Sequence, residues 1–342
     1  MRRVGELAAP VALVAGAALL GLAVSSSTEI YFVDALVKVA IVVALYLFIG
    51  NSGVLSFGHV SFVAAGAWAA GVLTVPAESK PAIMPNLAGF LRDTTVGNVP
   101  SLAIACGIGA AFALVAGLPL MRLSGLAAGI ATFTVLEITH NMLRYYEKIG
   151  PGLNTFSSVP ETTGLAQAAG GAIAAVAIAF AYQRSRFGRM LAATREDPAA
   201  AAAAGISIYR QRLVAFTISG ALAGFAGGLY VHLLPVNTES VYLDLTFITL
   251  AMLVVGGTTS LWGAVVGALA VSALDSFLAQ AENGVDVLGA HLDLPAGTRL
   301  VVVSVLMAAV LVLRPSGLTG GREFRLPRRA SNTVSQARSE PA

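Results

Sequence analysis

The chain has 342 residues, of which 56% are hydrophobic and only 11% charged, with a formal net charge of +3. A soluble domain carries about a quarter charged residues, and a mean hydropathy of +0.80 excludes that class in favour of an all-α polytopic membrane protein. The single cysteine, Cys106, excludes an intrachain disulfide framework, and the small net charge gives no ground for a nucleic-acid partner.

Taken in order, residues 8–24 are apolar behind Arg2 and Arg3. A signal peptide cleaved near Ser25 is the competing reading, opposed by everything downstream that also needs inserting. Spans 30–50 and 54–75 follow, separated by Asn51-Ser52-Gly53, then a polar loop over 78–98. Residues 100–121 and 126–143 are the next two spans, joined by a tight turn. After a second loop, 144–167, comes the span 168–182, and then the longest polar interruption of the second half, 184–212. The remaining spans are 213–234, 242–255, 261–279 and 298–313. From Arg314 the chain is basic, which leaves 1–318 as a transmembrane domain and 319–342 as a tail predicted to be disordered.

The count is about ten crossings, each helical because the bilayer leaves no unpaired backbone satisfied. An even count puts Arg2 and Arg3, Arg122, the 184–212 stretch and the basic tail on one side, which the positive-inside rule makes cytoplasmic, with both termini. The loop bearing Glu78, Lys80, Arg92 and Asp93 falls outside, as does the one with Glu282 and Asp286. The Arg144/Lys148 loop is also external, a mild exception to the rule.

Two segments interrupt the hydrophobic pattern at membrane depth. One runs from Gly50 to His59 and includes Asn51, Ser56 and Gly58; the other runs from Gly256 to Gly263 and includes Gly257, Thr258 and Trp262. Irregular backbone at that depth is tolerated inside protein or beside a water-filled cavity. Paired glycine interruptions in the two halves of a transporter point to the substrate path, and short interhelical turns are the plainer reading of each alone.

The 184–212 stretch carries six arginines and a compact helix with both ends marked. Asp197 is a good N-cap, Pro198 suits the first helical position, Ala199 to Ala204 favour helix, and Gly205 can take the left-handed conformation that ends one. So short a helix is marginal alone, which predicts a docking partner for its alanine surface.

Leu55-Ser56-Phe57-Gly58-His59-Val60-Ser61-Phe62 resembles the glycine–histidine block of the permease subunits of branched-chain amino acid ABC transporters. Leu118 to Gly125, followed by Ile130-Ala131-Thr132 and Glu137, resembles the next block. Gly188 to Ile206 is similar to the family's cytoplasmic coupling loop. Gly256-Gly257 with Ser260 to Gly263, and Leu313 to Leu318, resemble the last two. The likeness is collinear from about residue 36 to 318 and is to the larger of the family's two related permease subunits.

The resemblance implies an ABC-importer permease fold in the bacterial cytoplasmic (inner) membrane. It also implies partners: two cytoplasmic ATP-binding subunits, a second homologous permease subunit and an extracytoplasmic substrate-binding protein. The amino-acid substrate would move by alternating access. It places the ATPase-coupling element at Arg195, Glu196, Asp197, Pro198, Ala202 and Gly205. Pro198 and Ala202 stand where the family commonly has acidic residues, which shifts docking towards shape and the flanking Arg195 and Glu196. The translocation path is expected along Asn51, Ser56, Gly58, His59, Glu137, Gly257, Thr258 and Trp262. No cofactor is implied.

Lys38, Lys80 and Lys148 are followed by Val39, Pro81 and Ile149, so no phosphate-binding P-loop is present and energy must come from another chain or an ion gradient. The ion-coupled carrier is the alternative reading, resting on intramembrane charges. Asp34 and Lys38 read as an i,i+4 pair snorkelling outwards, Glu137 and His140 as interhelical hydrogen-bonding groups, and Asp275 as reaching the outer interface. An enzyme is disfavoured: Ser56 and His59 lack an orienting acid, and His59, His140, His232 and His291 have no metal-ligand spacing.

Overall fold

The computed structural model describes residues 2–282, 285–287, 290–292, 294–295, 297–314 and 316–324. The expected tail over 325–342 and Pro315 lie outside the described residues, as do the side chains of Arg2, Arg3, Asp286 and His291.

Fourteen α-helices are described. They are α1 (Arg2–Leu22), α2 (Ser26–Ser52), α3 (His59–Thr74), the short α4 (Lys80–Ile83) and α5 (Gly89–Arg92), α6 (Asn98–Leu120), α7 (Gly125–Tyr145), α8 (Leu165–Arg184), α9 (Arg186–Glu196), α10 (Pro198–Ala203), α11 (Ile208–Val231), α12 (Leu243–Gly256), α13 (Leu261–Glu282) and α14 (Thr298–Leu313). A small antiparallel hairpin, β1 (Val285–Val287) and β2 (Ala290–Leu292), joins the last two. Seven helices are long and apolar enough to cross a membrane, and α3, α12 and α14 are shorter apolar helices. Together these correspond one to one with the spans read from the sequence.

Two of the shorter helices, α3 and α12, adjoin the irregular segments. At 1.5 Å per residue, the 16 residues of α3 and the 14 of α12 cover about 24 and 21 Å, less than the hydrocarbon thickness of about 30 Å. The span expected over 54–75 is therefore helical only from His59; residues 53–58 run irregularly, starting from Gly53 in the left-handed conformation at the end of α2 (φ 69°).

α2 is the central helix. Its residues Leu36 to Phe48 are buried on every face, as expected of a helix hydrophobic all round. α11 packs most extensively on α6, α3 and α2, and small residues allow the close approach. A Cβ on Gly224 would collide with the Ala105 carbonyl of α6, one on Gly66 with the Gly224 carbonyl, and one on Gly227 with the Val63 carbonyl.

Loop contacts fall into two sets at opposite ends of the bundle. At one end the Ala88 N–H donates to Lys148 O (3.1 Å), the Phe156 N–H to Val236 O (2.9 Å) and the Thr163 N–H to His232 O (3.2 Å). Lys80 is buried in that layer and donates to the carbonyls of Leu91 (2.8 Å) and Thr94 (2.5 Å). Its pKa is lowered by burial, against the opposing pull of Asp93. At the other, arginine-rich end Arg212 donates to Leu123 O (3.2 Å), Tyr209 to Leu118 O (3.1 Å), and Arg184 pairs with Glu6. This segregation is what helices crossing in alternating directions produce.

Candidate functional site

The arginine-rich stretch holds two helices rather than one. α9 was not legible, because its three arginines, Arg186, Arg189 and Arg195, hide its inward stripe of Gly188, Leu191 and Thr194. Ser185 caps it, accepting from the Gly188 N–H at 3.2 Å. α10 has the ends its sequence predicts. Asp197 Oδ1 accepts from Ala199 (2.9 Å) and Ala200 (3.0 Å), and Gly205 leaves the helix at φ 78°. Only Ala201 of α10 is buried; Pro198, Ala202 and Gly205 are exposed, and a Cβ on Gly205 would meet nothing within 4 Å.

Arg195 turns from the end of α9 into the bundle. Its Nη1 donates to the Gly50 carbonyl, while Nε and Nη2 donate to Glu196 Oε1 (3.1 and 2.6 Å). The aliphatic stem lies over Gly53, where a Cβ would sit 2.7 Å from Arg195 Cγ. The guanidinium is thus engaged within the chain, and its partner Glu196 is 71% exposed at its side chain. The element expected to meet the ATPase is fastened to the first irregular segment.

The two irregular segments also meet each other. A Cβ on Gly50 would lie 2.7 Å from the Thr258 carbonyl. Asn51 is buried and donates to Leu47 O at 2.9 Å. The second segment is held by the chain after α14. Leu318 N–H donates to Val255 O (2.8 Å), Thr319 Oγ1 to Gly256 O (2.8 Å), and the Glu323 carboxylate accepts from the N–H groups of Leu261 (2.8 Å) and Trp262 (3.2 Å). Charge-assisted bonds of this kind contribute about 1.5–3 kcal/mol each. Glu323 thus caps α13 from 62 residues away. Residues 319–324, expected in a solvated tail, pack on the second break instead, with Phe324 beside Trp262 (5.3 Å between ring centroids).

Deeper in the bundle, Ser56, Gly58 and His59 are gripped by α7 and α11. Phe57 N–H donates to Thr132 Oγ1 at 3.1 Å, and a Cβ on Gly58 would collide with Thr132 O. His59 Nε2 lies 2.7 Å from Ser219 Oγ, and Nδ1 lies 2.7 Å from Ser56 Oγ. Because Ser219 donates its proton to Ala44 O (2.6 Å), it accepts from Nε2–H, which leaves Nδ1 to accept from Ser56. The imidazole is neutral in that arrangement, caged by Phe48, Phe62 and Phe216. It stitches α2, α3 and α11 together. Sequence reading offered no signal for Ser219, a small polar residue inside the apolar part of α11, and gave Thr132 only as part of a resembling block.

Glu137 is not brought to the breaks. It lies further along α7, accepting from Asn141 Nδ2 (2.8 Å) and from the Tyr242 hydroxyl. Glu137 thus bonds between helices as expected, whereas His140 meets Tyr242 by ring stacking (3.8 Å between centroids) rather than by a hydrogen bond. Lys38 does not snorkel. It is 9% exposed and pairs with both Asp34 (2.6 Å) and Asp275 (3.2 Å), while Asp275 pairs with Arg299 (3.4 Å). Asp275 is itself buried rather than reaching an interface, because α14 brings Arg299 to it.

A sequence model for the permease component of the branched-chain amino acid transport system matches residues 27–313. The chain belongs to this family. The permease-family chain is 34% identical over 145 residues to the probable branched-chain amino acid transport permease protein LivH of Methanocaldococcus jannaschii, covering 40% of this chain and 42% of the relative. It is 27% identical over 260 residues to the high-affinity branched-chain amino acid transport system permease protein LivM of Escherichia coli K12, covering 66% of this chain and 57% of the relative. The probable ABC transporter permease protein YphD of the same strain is 31% identical over 145 residues, 40% of this chain and 42% of its own. The chain thus spans roughly half the length of these curated relatives. No solved structure matches it.

Proposed function

We propose that this chain is the transmembrane permease subunit of an ATP-driven ABC importer for branched-chain or related hydrophobic amino acids, seated in the bacterial inner membrane. Its partners in this reading are two cytoplasmic ATP-binding subunits, a second homologous permease subunit and an extracytoplasmic substrate-binding protein. The observation that carries the reading is Arg195, which ties the exposed α10 to the junction of the two irregular segments. An ATPase gripping the open alanine face of α10 would move Arg195, and with it Gly50, Gly53 and the Thr258 segment against them. Asn51, Ser56 and His59 are buried in this structure, so in this reading the path is closed at the arginine-rich end. Glu137 then faces the path from nearer the opposite end.

Uptake of labelled L-leucine with and without the ATPase subunits tests this. Uptake should require them; uptake that survives their removal and collapses with a protonophore would establish an ion-coupled carrier instead. The orientation has its own check. The positive-inside rule makes the arginine-rich end, with both termini, cytoplasmic. In a Cys106→Ala background, a cysteine at exposed Ser207 should react only from the cytoplasm and one at exposed Thr95 only from outside. Labelling of both from one side would overturn the ten-span arrangement.

A further inference from the structure

We propose that Glu323 is a positioning residue for the transport cycle: it latches residues 316–324 across the second irregular segment, holds the arginine-rich end of the path shut, and lets go when the path opens there. Its role in transport rests on the reading above; the docking of the segment is measured without it.

A break between two helices leaves the last carbonyls of one and the first N–H groups of the next without intrahelical partners. Residues 316–324 supply partners to both sets. Leu318 N–H and Thr319 Oγ1 donate to Val255 O and Gly256 O at the end of α12, and the two oxygens of Glu323 accept separately from the Leu261 and Trp262 N–H groups at the start of α13. The positive end of α13 favours the ionised carboxylate there. The crossing is close: Gly317 has φ 74°, and a Cβ on it would lie 2.5 Å from Gly257 N. Ser260 is fully buried beneath it, its Oγ 3.5 Å from Thr319 Oγ1. α12 and α13 therefore cannot part at the break without giving up one set of these bonds. The place matters as much as the bonds. Gly50 of the first segment abuts the Thr258 carbonyl of the second, and Arg195 holds Gly50. Tyr46 of α2 lies within electrostatic range of both Glu323 and Arg195. Two opposite charges from distant parts of the chain thus secure one junction, Arg195 on its first segment and Glu323 on its second.

The test uses the full-length chain with its co-purifying subunits, in a Cys106→Ala background. Ser260→Cys should react slowly with a small maleimide in the nucleotide-free complex. Adding Glu323→Ala should raise that rate about tenfold or more, Glu323→Gln should raise it less, and Arg322→Ala, at an exposed neighbour, should leave it unchanged. Ser101→Cys, fully buried near the start of α6 at the opposite end, should stay inert throughout, which separates a released latch from a loosened fold. The latch is then locked. Ser260→Cys combined with Thr319→Cys should form a disulfide on oxidation with copper phenanthroline in air, cutting ATP-driven leucine uptake about tenfold while the ATPases stay bound, and dithiothreitol should restore uptake. Uptake unchanged by the crosslink, failure of the crosslink to form, or Ser260→Cys reactivity indifferent to Glu323→Ala would each overturn the latch and leave the transport reading standing. A wild-type chain that takes up no leucine, with reactivity still set by Glu323, would defeat the transport reading alone.

Discussion

Gly224→Val should strongly reduce accumulation of folded protein, while Gly107→Val should leave it at the wild-type level. Both glycines lie in apolar helices, so propensity and membrane insertion hardly separate them. Their surroundings do. A Cβ on Gly224 would collide with the Ala105 carbonyl and lie 2.9 Å from Gly109 Cα, whereas one on Gly107 would meet nothing within 4 Å. The obstruction at Gly224 is backbone on α6, which cannot rotate aside as a side chain can. Relief requires separating α11 from α6, the most extensive helix pair in the bundle. Overpacking typically costs about 1–3 kcal/mol, occasionally more, against a total stability of about 5–15 kcal/mol. The loss should appear as aggregated material in size-exclusion chromatography of the extracted protein. Equal yields of the two variants would mean that the α6–α11 crossing is looser than described.

The bundle was legible because its determinants are local. Continuous apolar runs named every crossing, and α2, apolar on all sides, was bound to be central. The ends of α10 were legible for the same reason: Asp197, Pro198 and Gly205 act on backbone groups within three residues of themselves. What escaped was made by distant residues. Arg195 reaches Gly50 across 145 positions, His59 reaches Ser219 across 160, and Glu323 reaches Leu261 across 62. In sequence each is an unremarked serine, a loop arginine or a tail glutamate, and only packing gives it a partner. Lys38 illustrates the limit in another way. Its i,i+4 partner Asp34 was visible and its burial was not, because Asp275 and Arg299 come from α13 and α14.

In the importer reading proposed above, Arg195→Ala should leave the permease folded and bound to its ATPases but reduce amino-acid uptake by about tenfold or more, with ATP hydrolysis persisting. The side chain is partly exposed and stabilises chiefly through its bond to Gly50 O and its packing over Gly53. A hydrogen bond from a charged donor contributes about 1.5–3 kcal/mol, too little to unfold a bundle this size. The same energy applied to coupling is large, since about 1.4 kcal/mol corresponds to a factor of ten. Without the guanidinium, α9 and α10 can move with the ATPase while Gly50 and Gly53 stay behind. Arg195→Lys should rescue poorly, because an ammonium on a flexible stem does not reproduce the planar fork that holds Gly50 O and Glu196 together. Arg189→Ala, on the exposed side of α9, is the matched control and should transport normally. The measurement is the ratio of leucine imported to ATP hydrolysed in proteoliposomes. A ratio unchanged in Arg195→Ala would show that the contact with the first break transmits nothing, and that coupling runs through α11 directly.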